Sequence, residues 1–247
     1  MPSTRFTPLP VPPPQGGRGR KSRSRRGSHS IATFCSDDRE AALALTPVSR
    51  ETADRLDRFV ALLLQWQRTT NLIAPASIPK LWTRHIADSL QLLELAPEAR
   101  VWIDFGAGAG FPGLPVACAL AQQVGCMVHL VESNAKKAAF LREAQRVCGV
   151  PATVHLERME DFAPRFQGRA DAVCARAVAP LNTLLGLSFR LLGKTGTVGL
   201  FPKGQNAELE VNDASRSWNM RATLVPSRIG SGQIVMVRDL QPRTTAK

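Results

Sequence analysis

Three features are missing from this 247-residue chain: a long apolar run, a cysteine framework and a clustered metal-binding motif. The densest apolar patch, residues 60–64, is far shorter than the roughly 18 residues that a membrane-spanning helix needs. The five cysteines are odd in number, form no C-x-x-C pair and have no histidines at the spacing of a zinc site. We therefore expect a soluble cytoplasmic protein with no metal and no membrane association, whose cysteines are small buried side chains.

Acidic residues are absent from residues 1–30, which contain seven arginines and lysines among many prolines, glycines and serines. We expect residues 1–36 to be disordered, because so few apolar side chains cannot offset the entropy lost on ordering. The tail could be inert or start at the wrong codon, contact RNA, or direct the protein to an organelle. The net charge of +12 leaves a moderate basic excess beyond the tail, which suits a polyanionic partner.

Beyond the tail, apolar side chains recur at helical spacing. Leu56, Phe59 and Leu63 fall on one face of a helix that begins near Ser49, and a second helix is predicted over residues 78–95. We interpret residues 37–98 as a helical extension that precedes the main domain.

From residue 99 to residue 240 the pattern alternates between short apolar strands and helices. Strands are predicted at residues 101–105, 126–131, 152–157, 170–175, 197–201, 219–225 and 233–239. Such alternation predicts an α/β domain with a doubly wound, mostly parallel sheet, and the last two strands form an antiparallel edge hairpin. Residues 241–247 are expected to be a C-terminal tail.

The most informative segment is the glycine-rich turn that follows the first of these strands. A dinucleotide fingerprint can be fitted to Gly108, Gly110 and Gly113, with Glu132 at the end of the second strand as the ribose partner. S-adenosylmethionine also has ribose hydroxyls, so Glu132 does not separate the two cofactors. Asp104 does, because an acid facing this turn attracts the ammonium and sulfonium of S-adenosylmethionine but repels a diphosphate. We favour the methyl donor, and a dinucleotide or a purely structural turn remain alternatives.

The sequence around and beyond this turn resembles a known family, ribosomal RNA small subunit methyltransferase G, also called glucose-inhibited division protein B. The matching positions are Trp66, Asn71-Leu72, Arg84-His85-Ile86-Ala87-Asp88-Ser89, residues 104–115, the Arg142 helix, Glu157-Arg158-Met159-Glu160, Arg176-Ala177 and Lys203-Gly204. The R-H-x-x-D-S string before this particular turn is specific, whereas the turn alone would indicate only a superfamily. Ala107, Ile73 and Pro202 depart from the residues usual in the family.

The resemblance implies a class I, Rossmann-like methyltransferase that methylates N7 of a guanine in 16S rRNA. It also implies cofactor contacts, namely Gly106, Phe111, Met159, Glu160 and Arg176. The partner would be 16S rRNA or the small ribosomal subunit, and we expect a monomer. Two other functions remain open: an NAD-dependent oxidoreductase, and a non-catalytic RNA-binding factor for ribosome assembly on the same fold.

Methylation at N7 needs no base, because this nitrogen already carries an in-plane lone pair, so catalysis by positioning is sufficient. The chain accordingly lacks the Asn/Asp-Pro-Pro-aromatic motif of amino-group methyltransferases and a Pro-Cys nucleophile. Our hypothesis is that Arg176 or Lys203 reads guanine O6 or contacts a flanking phosphate. Arg176 could instead be an ion-pair partner, and Phe111 and Trp82 could either stack on a base or belong to the core.

His85, Asp88 and Ser89 lie one turn apart on one predicted helix face. They resemble a hydrolase triad, but side chains this close on one rigid helix leave little room for a substrate. We favour a network that ties this helix to the cofactor turn, with an RNA contact or a supporting role beside the substrate as the alternative.

Overall fold

A computed structural model describes residues 37–194 and 196–243. The predicted tail at residues 1–36 and residues 244–247 of the predicted C-terminal tail lie outside the described residues. The helices are α1 (37–45), α2 (Arg50–Trp66), α3 (Asp88–Leu95), α4 (Gly113–Leu120), α5 (Ala135–Cys148), α6 (Met159–Arg165), α7 (Leu181–Leu192) and α8 (Ala207–Ala214).

The strands form one seven-stranded sheet in the order β3-β2-β1-β4-β5-β7-β6. They are β1 (Val101–Phe105), β2 (Met127–Glu132), β3 (Ala152–Leu156), β4 (Ala172–Ala175), β5 (Val198–Lys203), β6 (Trp218–Pro226) and β7 (Gln233–Pro242). The first five run parallel, whereas β7 is antiparallel to both β5 and β6. The predicted doubly wound sheet with an antiparallel edge hairpin is confirmed, although β7 extends two residues past the domain boundary placed at 240.

The prediction of one helix over residues 78–95 is wrong in its first half. Residues Pro75–Lys80 form a 3₁₀ helix, and Trp82–Ala87 form a π-helical turn that continues into α3. Pro79 lies inside the 3₁₀ helix and has no N–H to donate, which explains why regular α-helix does not begin there. The π-helical turn carries the R-H pair of the R-H-x-x-D-S string, and such turns are frequent at functional sites.

The helical extension packs on one face of the sheet and shares its core. Leu56, Phe59 and Leu63 of α2 are fully buried in the same cluster as Leu114 of α4 and Phe140 of α5. A second cluster on the opposite face joins β4 and β5 to the C-terminal helices. Burial of one helix face against each side of a parallel sheet is the expected solution for this architecture.

Side-chain contacts of Asp38 and Arg39 hold the start of the extension in place. Asp38 of α1 accepts hydrogen bonds from the Trp82 backbone N–H at 2.7 Å and from the Thr83 hydroxyl at 2.6 Å, which caps the π-helical turn. Arg39 pairs with Asp57 of α2 through two hydrogen bonds of 2.7 Å. The extension therefore determines where the π-helical turn lies relative to the sheet.

Candidate functional site

The glycine-rich turn presents bare backbone at the carboxyl end of β1. Gly106, Gly108 and Gly110 have φ of +64°, +55° and +91°, values that other residues rarely adopt. A Cβ on Gly106 would lie 2.5 Å from Val178 Cγ2, and one on Gly113 would lie 2.3 Å from Leu130 Cδ2. These glycines are therefore required by the conformation of the turn and by its close packing.

Asp104 is fully buried directly behind this turn. Its Oδ2 accepts a 2.9 Å hydrogen bond from the Gly113 N–H, and its Oδ1 accepts one from the Cys174 thiol at 3.8 Å. Burial raises the pKa of Asp104 to about 7, against the opposing effects of the Gly113 hydrogen bond and of Arg176. Asp104 therefore holds the two ends of the turn together and places a negative charge behind it for part of the time at neutral pH.

Glu132 at the end of β2 binds the same turn from the other side. Its Oε2 accepts from the Gly108 N–H at 2.8 Å, and its Oε1 accepts from the Asn134 N–H at 2.7 Å. Its negative charge contributes to the raised pKa of Asp104. The two carboxyl groups thus meet at the turn, and each oxygen of Glu132 keeps acceptor capacity for a hydroxyl.

Arg176 follows β4 and crosses to the π-helical turn instead of projecting into solvent. Its Nη2 lies 2.8 Å from His85 Nδ1, and its Nη1 lies 3.5 Å from Asp88 Oδ2 and 3.4 Å from the Arg84 carbonyl oxygen. Its guanidinium carbon also lies 5.2 Å from the centre of the Phe111 ring. Arg176 therefore ties the crevice edge of β4 to the helix that bears the R-H-x-x-D-S string.

His85 and Phe111 stack on each other, with ring centres 4.9 Å apart. Burial and the charges of Arg176 and Arg84 lower the pKa of His85 to about 3, so the ring is neutral. Because a guanidinium can only donate, Nδ1 is the acceptor of the Arg176 bond and the ring proton lies on Nε2. That Nε2 is buried and has no hydrogen-bond partner among the described residues.

Neither aromatic residue considered for base stacking is available to a base. Phe111 is 4% exposed and Trp82 is 3% exposed. Phe111 packs against His85 and Phe59 and has Arg176 above its ring, and Arg39 lies over Trp82 at 5.3 Å. The base-stacking alternative is therefore wrong for both residues, and both belong to the core.

Asp88 links three elements, whereas Ser89 acts only within its helix. Besides Arg176, Asp88 accepts a 3.1 Å hydrogen bond through Oδ1 from the Ser227 hydroxyl in the β6–β7 turn. The Ser89 hydroxyl donates to the His85 carbonyl oxygen at 2.6 Å. A hydrolase triad would need Ser89 to face the His85 ring, so this geometry excludes one.

Lys203 at the end of β5 does not project into the crevice as a free cation. Its Nζ donates to the Ala179 carbonyl oxygen at 2.8 Å and pairs with Glu210 Oε2 of α8 at 2.8 Å, and its side chain is 10% exposed. In this geometry Lys203 contacts the segment after β4, and a direct contact with a base or phosphate would require it to exchange these partners.

A cavity of about 290 Å³ opens beside the turn, and Arg176 is not among the residues that line it. Gly106 forms part of its wall, and Met159 and Glu160 from the first turn of α6 form another part. Val178 and Ala179 after β4 complete the wall that faces α6. Three of the sequence-predicted cofactor residues, Gly106, Met159 and Glu160, thus share one cavity. Asp104 and Glu132 do not line it and instead bond to the backbone of the turn.

Sequence reasoning missed Ser227, Glu210 and Val178. Ser227 and Glu210 bond to predicted site residues, and Val178 packs on Gly106. Ser227 meets Asp88 across 139 residues of sequence, so no local pattern could have paired them. Of these three residues, only Val178 could have been identified from its position in the sequence. It follows a parallel strand closely, and the carboxyl end of such a strand adjoins the ligand crevice.

Comparison with known proteins identifies the family. The family model described as rRNA small subunit methyltransferase G matches residues 52–232. The chain belongs to this family. A ribosomal RNA small subunit methyltransferase G from Bradyrhizobium sp. (strain ORS 278) is 55% identical over 84% of this chain and 93% of its own length. The protein of the same name from Bradyrhizobium diazoefficiens is 48% identical over 96% of this chain and 95% of its own length.

Solved structures agree on the fold. An O-methyltransferase from Bacillus cereus in complex with SAH aligns with a TM-score of 0.55 and 17% identity, over 84% of this chain and 99% of that chain. The O-methyltransferase TomG from Streptomyces achromogenes in complex with SAM aligns with a TM-score of 0.53 and 14% identity, over 85% of this chain and 96% of that chain. The predicted family, the class I fold, the enzyme class and S-adenosylmethionine as cofactor are confirmed, and the oxidoreductase and non-catalytic alternatives are not favoured.

The described residues were predicted to contain neither a membrane-spanning helix nor a metal site. None of their helices has the length and apolar character needed to cross a membrane. Within the same residues, no group of three or more histidine, cysteine or acidic side chains is arranged to hold a metal ion.

Proposed function

We propose that this chain transfers a methyl group from S-adenosylmethionine to N7 of a guanine in 16S rRNA. The family supports an rRNA of the small subunit as substrate, and the name shared by its relatives supports methyl transfer. We include a monomeric state in this proposal. An rRNA substrate supports a cytoplasmic location.

The observation that carries this proposal is the pair of carboxyl groups at the turn. Asp104 and Glu132 both bond to backbone N–H groups of the turn, so the donors that would bind a diphosphate already have acidic partners. The negative field of the two groups favours the ammonium and sulfonium of S-adenosylmethionine and opposes a dinucleotide. The residues of the cavity therefore fit the methyl donor.

When bound, S-adenosylmethionine supplies an electrophilic methyl group on sulfur. The glycine turn brings backbone close to it, and we propose that Met159 and Glu160 contact its nucleoside from α6. Glu132 has free acceptor capacity toward the ribose hydroxyls. These residues bind and orient, and the supported turn keeps its shape when a ligand enters.

The chain does not need to remove a proton from guanine, because N7 is a hydrogen-bond acceptor with a free lone pair. The neutral His85 is consistent with this chemistry, since its Nδ1 already accepts from Arg176 and its ring stacks on Phe111. Catalysis then consists of aligning N7 with the methyl group and excluding water. In A-form RNA this base edge faces a deep narrow groove, so the guanine must lie in a loop or be flipped out.

The decisive experiment maps N7-methylguanine in 16S rRNA from cells with and without this gene. We expect one guanine to lose its methyl group in the deletion strain and to regain it when the gene is restored. Incubation of purified enzyme and labelled S-adenosylmethionine with 30S subunits or naked 16S rRNA from the deletion strain identifies the preferred substrate. An unchanged modification map together with no label in either substrate would refute the proposal.

Cofactor choice is tested separately by equilibrium binding. We expect purified protein to bind S-adenosylhomocysteine and to show no saturable binding of NAD. Binding of NAD alone would support the oxidoreductase. Binding of S-adenosylhomocysteine without methyl transfer to any rRNA would support the assembly factor.

A further inference from the structure

We propose that Lys203 and Glu210 form a partly buried ion pair that positions the β4–α7 segment, residues 176–180, for methyl transfer. In this proposal, which rests on the proposed function, Glu210 is a positioning residue and Lys203 acts through backbone rather than on RNA. The segment begins with Arg176 and contains Val178 and Ala179 of the cavity wall.

Two hydrogen bonds connect the pair to this segment and to the first residue of α7, and a third contact joins the two side chains to each other. Lys203 Nζ donates to the Ala179 carbonyl oxygen at 2.8 Å, and Glu210 Oε2 accepts from the Leu181 N–H at 2.7 Å. Lys203 Nζ and Glu210 Oε2 lie 2.8 Å apart. The charged pair therefore bonds to the backbone on both sides of Pro180, to the carbonyl oxygen of Ala179 and to the N–H of Leu181.

Helix α7 lacks a cap of its own, and Glu210 supplies one from another helix. The N-cap residue is Pro180, which has no side-chain oxygen and makes no capping bond. The first N–H groups of a helix need acceptors, and a carboxylate there also interacts favourably with the helix dipole. Glu210 on α8 meets both needs, which fixes the start of α7 and hence the end of the segment.

The segment needs this support because its backbone is strained and closely packed. Ala177 has φ of +56°, a conformation that costs a residue with a Cβ about 1 kcal/mol or more. Val178 then lies against Gly106, so closely that a Cβ on Gly106 would approach to 2.5 Å. Such a conformation persists only where surrounding contacts impose it. The Lys203–Glu210 pair provides two of these contacts, the hydrogen bonds to Ala179 and Leu181.

Partial burial makes the pair sensitive to the loss of either member. The side chains are 10% exposed for Lys203 and 28% exposed for Glu210. Removal of one partner leaves the other charge partly desolvated and unpaired, whereas removal of both leaves no unpaired charge. A positioning pair therefore predicts that the double variant loses little more than the worse single variant.

The test compares Glu210→Gln, Glu210→Ala, Lys203→Met and the double variant Lys203→Met/Glu210→Gln in the full chain. Glu208→Gln is the matched control, since Glu208 is exposed on the same helix and makes no side-chain bond within the described residues. Three quantities are measured: amide hydrogen exchange, unfolding in urea, and kcat with KM for rRNA.

We expect Leu181 and its neighbours to exchange about 10-fold faster in Glu210→Ala, the factor that loss of a helix cap implies. Glu210→Gln should have a smaller effect, because its amide oxygen still accepts from Leu181. Turnover should fall on the order of 10- to 100-fold in Glu210→Ala and in Lys203→Met, as expected for misplaced reacting groups. KM for rRNA should stay within about threefold, because neither residue touches a phosphate in this proposal.

A large rise in KM for rRNA in Lys203→Met, with exchange at Leu181 unchanged in every variant, would overturn the proposal and assign Lys203 to RNA. Additive losses in the double variant would also overturn it. The exchange measurement needs no substrate. If the wild-type protein fails to methylate rRNA, the proposed function fails while Leu181 exchange still reports on the pair.

Discussion

The two sides of the crevice differ in how their side chains are engaged. On the bonded side, formed by His85, Asp88, Phe111 and Arg176, every one of these side chains contacts another of the set. On the cavity side, Ser133, Met159 and Glu160 make no side-chain hydrogen bond within the described residues, although Glu157, which also lines the cavity, pairs with Arg165.

This difference indicates that the bonded side maintains the structure of the site, whereas the cavity side binds the ligand. The bonded side has few free polar groups, so a ligand there must displace an existing partner. The cavity side has exposed polar groups that can bind a ligand without such a cost. Substitutions on the bonded side should therefore lower stability and turnover together, and those on the cavity side should change affinity alone.

The largest effect is expected at the turn that both sides share. Gly113→Ala would place a methyl group 2.3 Å from Leu130 Cδ2 and 2.7 Å from Asp104 Oδ2, which breaks the bond between Asp104 and the turn. We expect the free energy of unfolding to fall by about 3 kcal/mol in urea titrations and binding of S-adenosylhomocysteine to be lost. The control is Gly186→Ala inside α7, whose Cβ meets only Trp218 at 3.7 Å. It should leave stability unchanged or raise it by about 0.5 kcal/mol.

Arg176→Ala tests the bonded side directly. It removes the donor to His85 and uncovers the Phe111 ring, so we expect a loss of about 1–3 kcal/mol in unfolding free energy. Methyl transfer should fall on the order of 100-fold. Arg190→Ala serves as the control, because Arg190 is an exposed arginine on α7. Wild-type stability and wild-type turnover in Arg176→Ala would mean that the two sides do not differ as described.

Glu160→Gln tests the cavity side. We expect the KM for S-adenosylmethionine to rise about 3- to 10-fold, the effect of one lost hydrogen bond, with an unchanged unfolding midpoint. Asp161→Asn is a close control, because it removes the same charge from the same first turn of α6 but does not line this cavity. A similar rise in KM for both variants would show that the helix terminus, and not the cavity, is responsible.

The last effect concerns the pH dependence of stability and the partly buried pair of histidines that packs against α6. His129 Nδ1 lies 3.0 Å from His155 Nε2, and burial followed by the His155 charge lowers the pKa of His129 to about 4. Native His129 thus stays neutral where the unfolded form gains a proton, so its stabilising contribution is complete above pH 6.5 and is lost as pH falls toward 4. His129→Gln should therefore lose less stability than the wild type over this interval.

The comparison of His129→Gln with the wild type is made by urea unfolding at several pH values. The difference measured near pH 7.5, where unfolded histidine is mostly neutral, gives the cost of the lost contacts. Only the change in that difference with pH reports on titration. An identical pH dependence of the two proteins would contradict the assignment.

The sequence predicted the sheet well because its signals are local. Strands β1, β2, β4 and β5 are short runs of mostly buried apolar residues, and Gly106, Gly108 and Gly110 of the turn have positive φ. Asp104 was recognisable as an acid that faces this turn, although its full burial and its bond to Gly113 were not.

The arrangement of the bonded side could not be predicted, because its contacts join distant parts of the chain. Arg176 lies 91 residues from His85, and both the predicted RNA contact and the ion pair fitted the sequence equally well. Lys203 was expected near the substrate because it follows a parallel strand. Its neutralisation by Glu210 depends on where α8 packs, which is a property of the folded core.

The position of β7 has a consequence for the order in which the enzyme is assembled. This strand lies between β5 and β6 rather than at the border of the sheet, although it is synthesised after both. In the turn before β7, the Ser227 hydroxyl donates a hydrogen bond to Asp88 of α3. The Gln91 side chain of α3 also bonds to the backbone of Pro226 and Arg228. A nascent chain that lacks β7 leaves the border of β5 unpaired and the turn that bonds to α3 without its second strand, so we expect the site to complete its folding only after β7 has been synthesised.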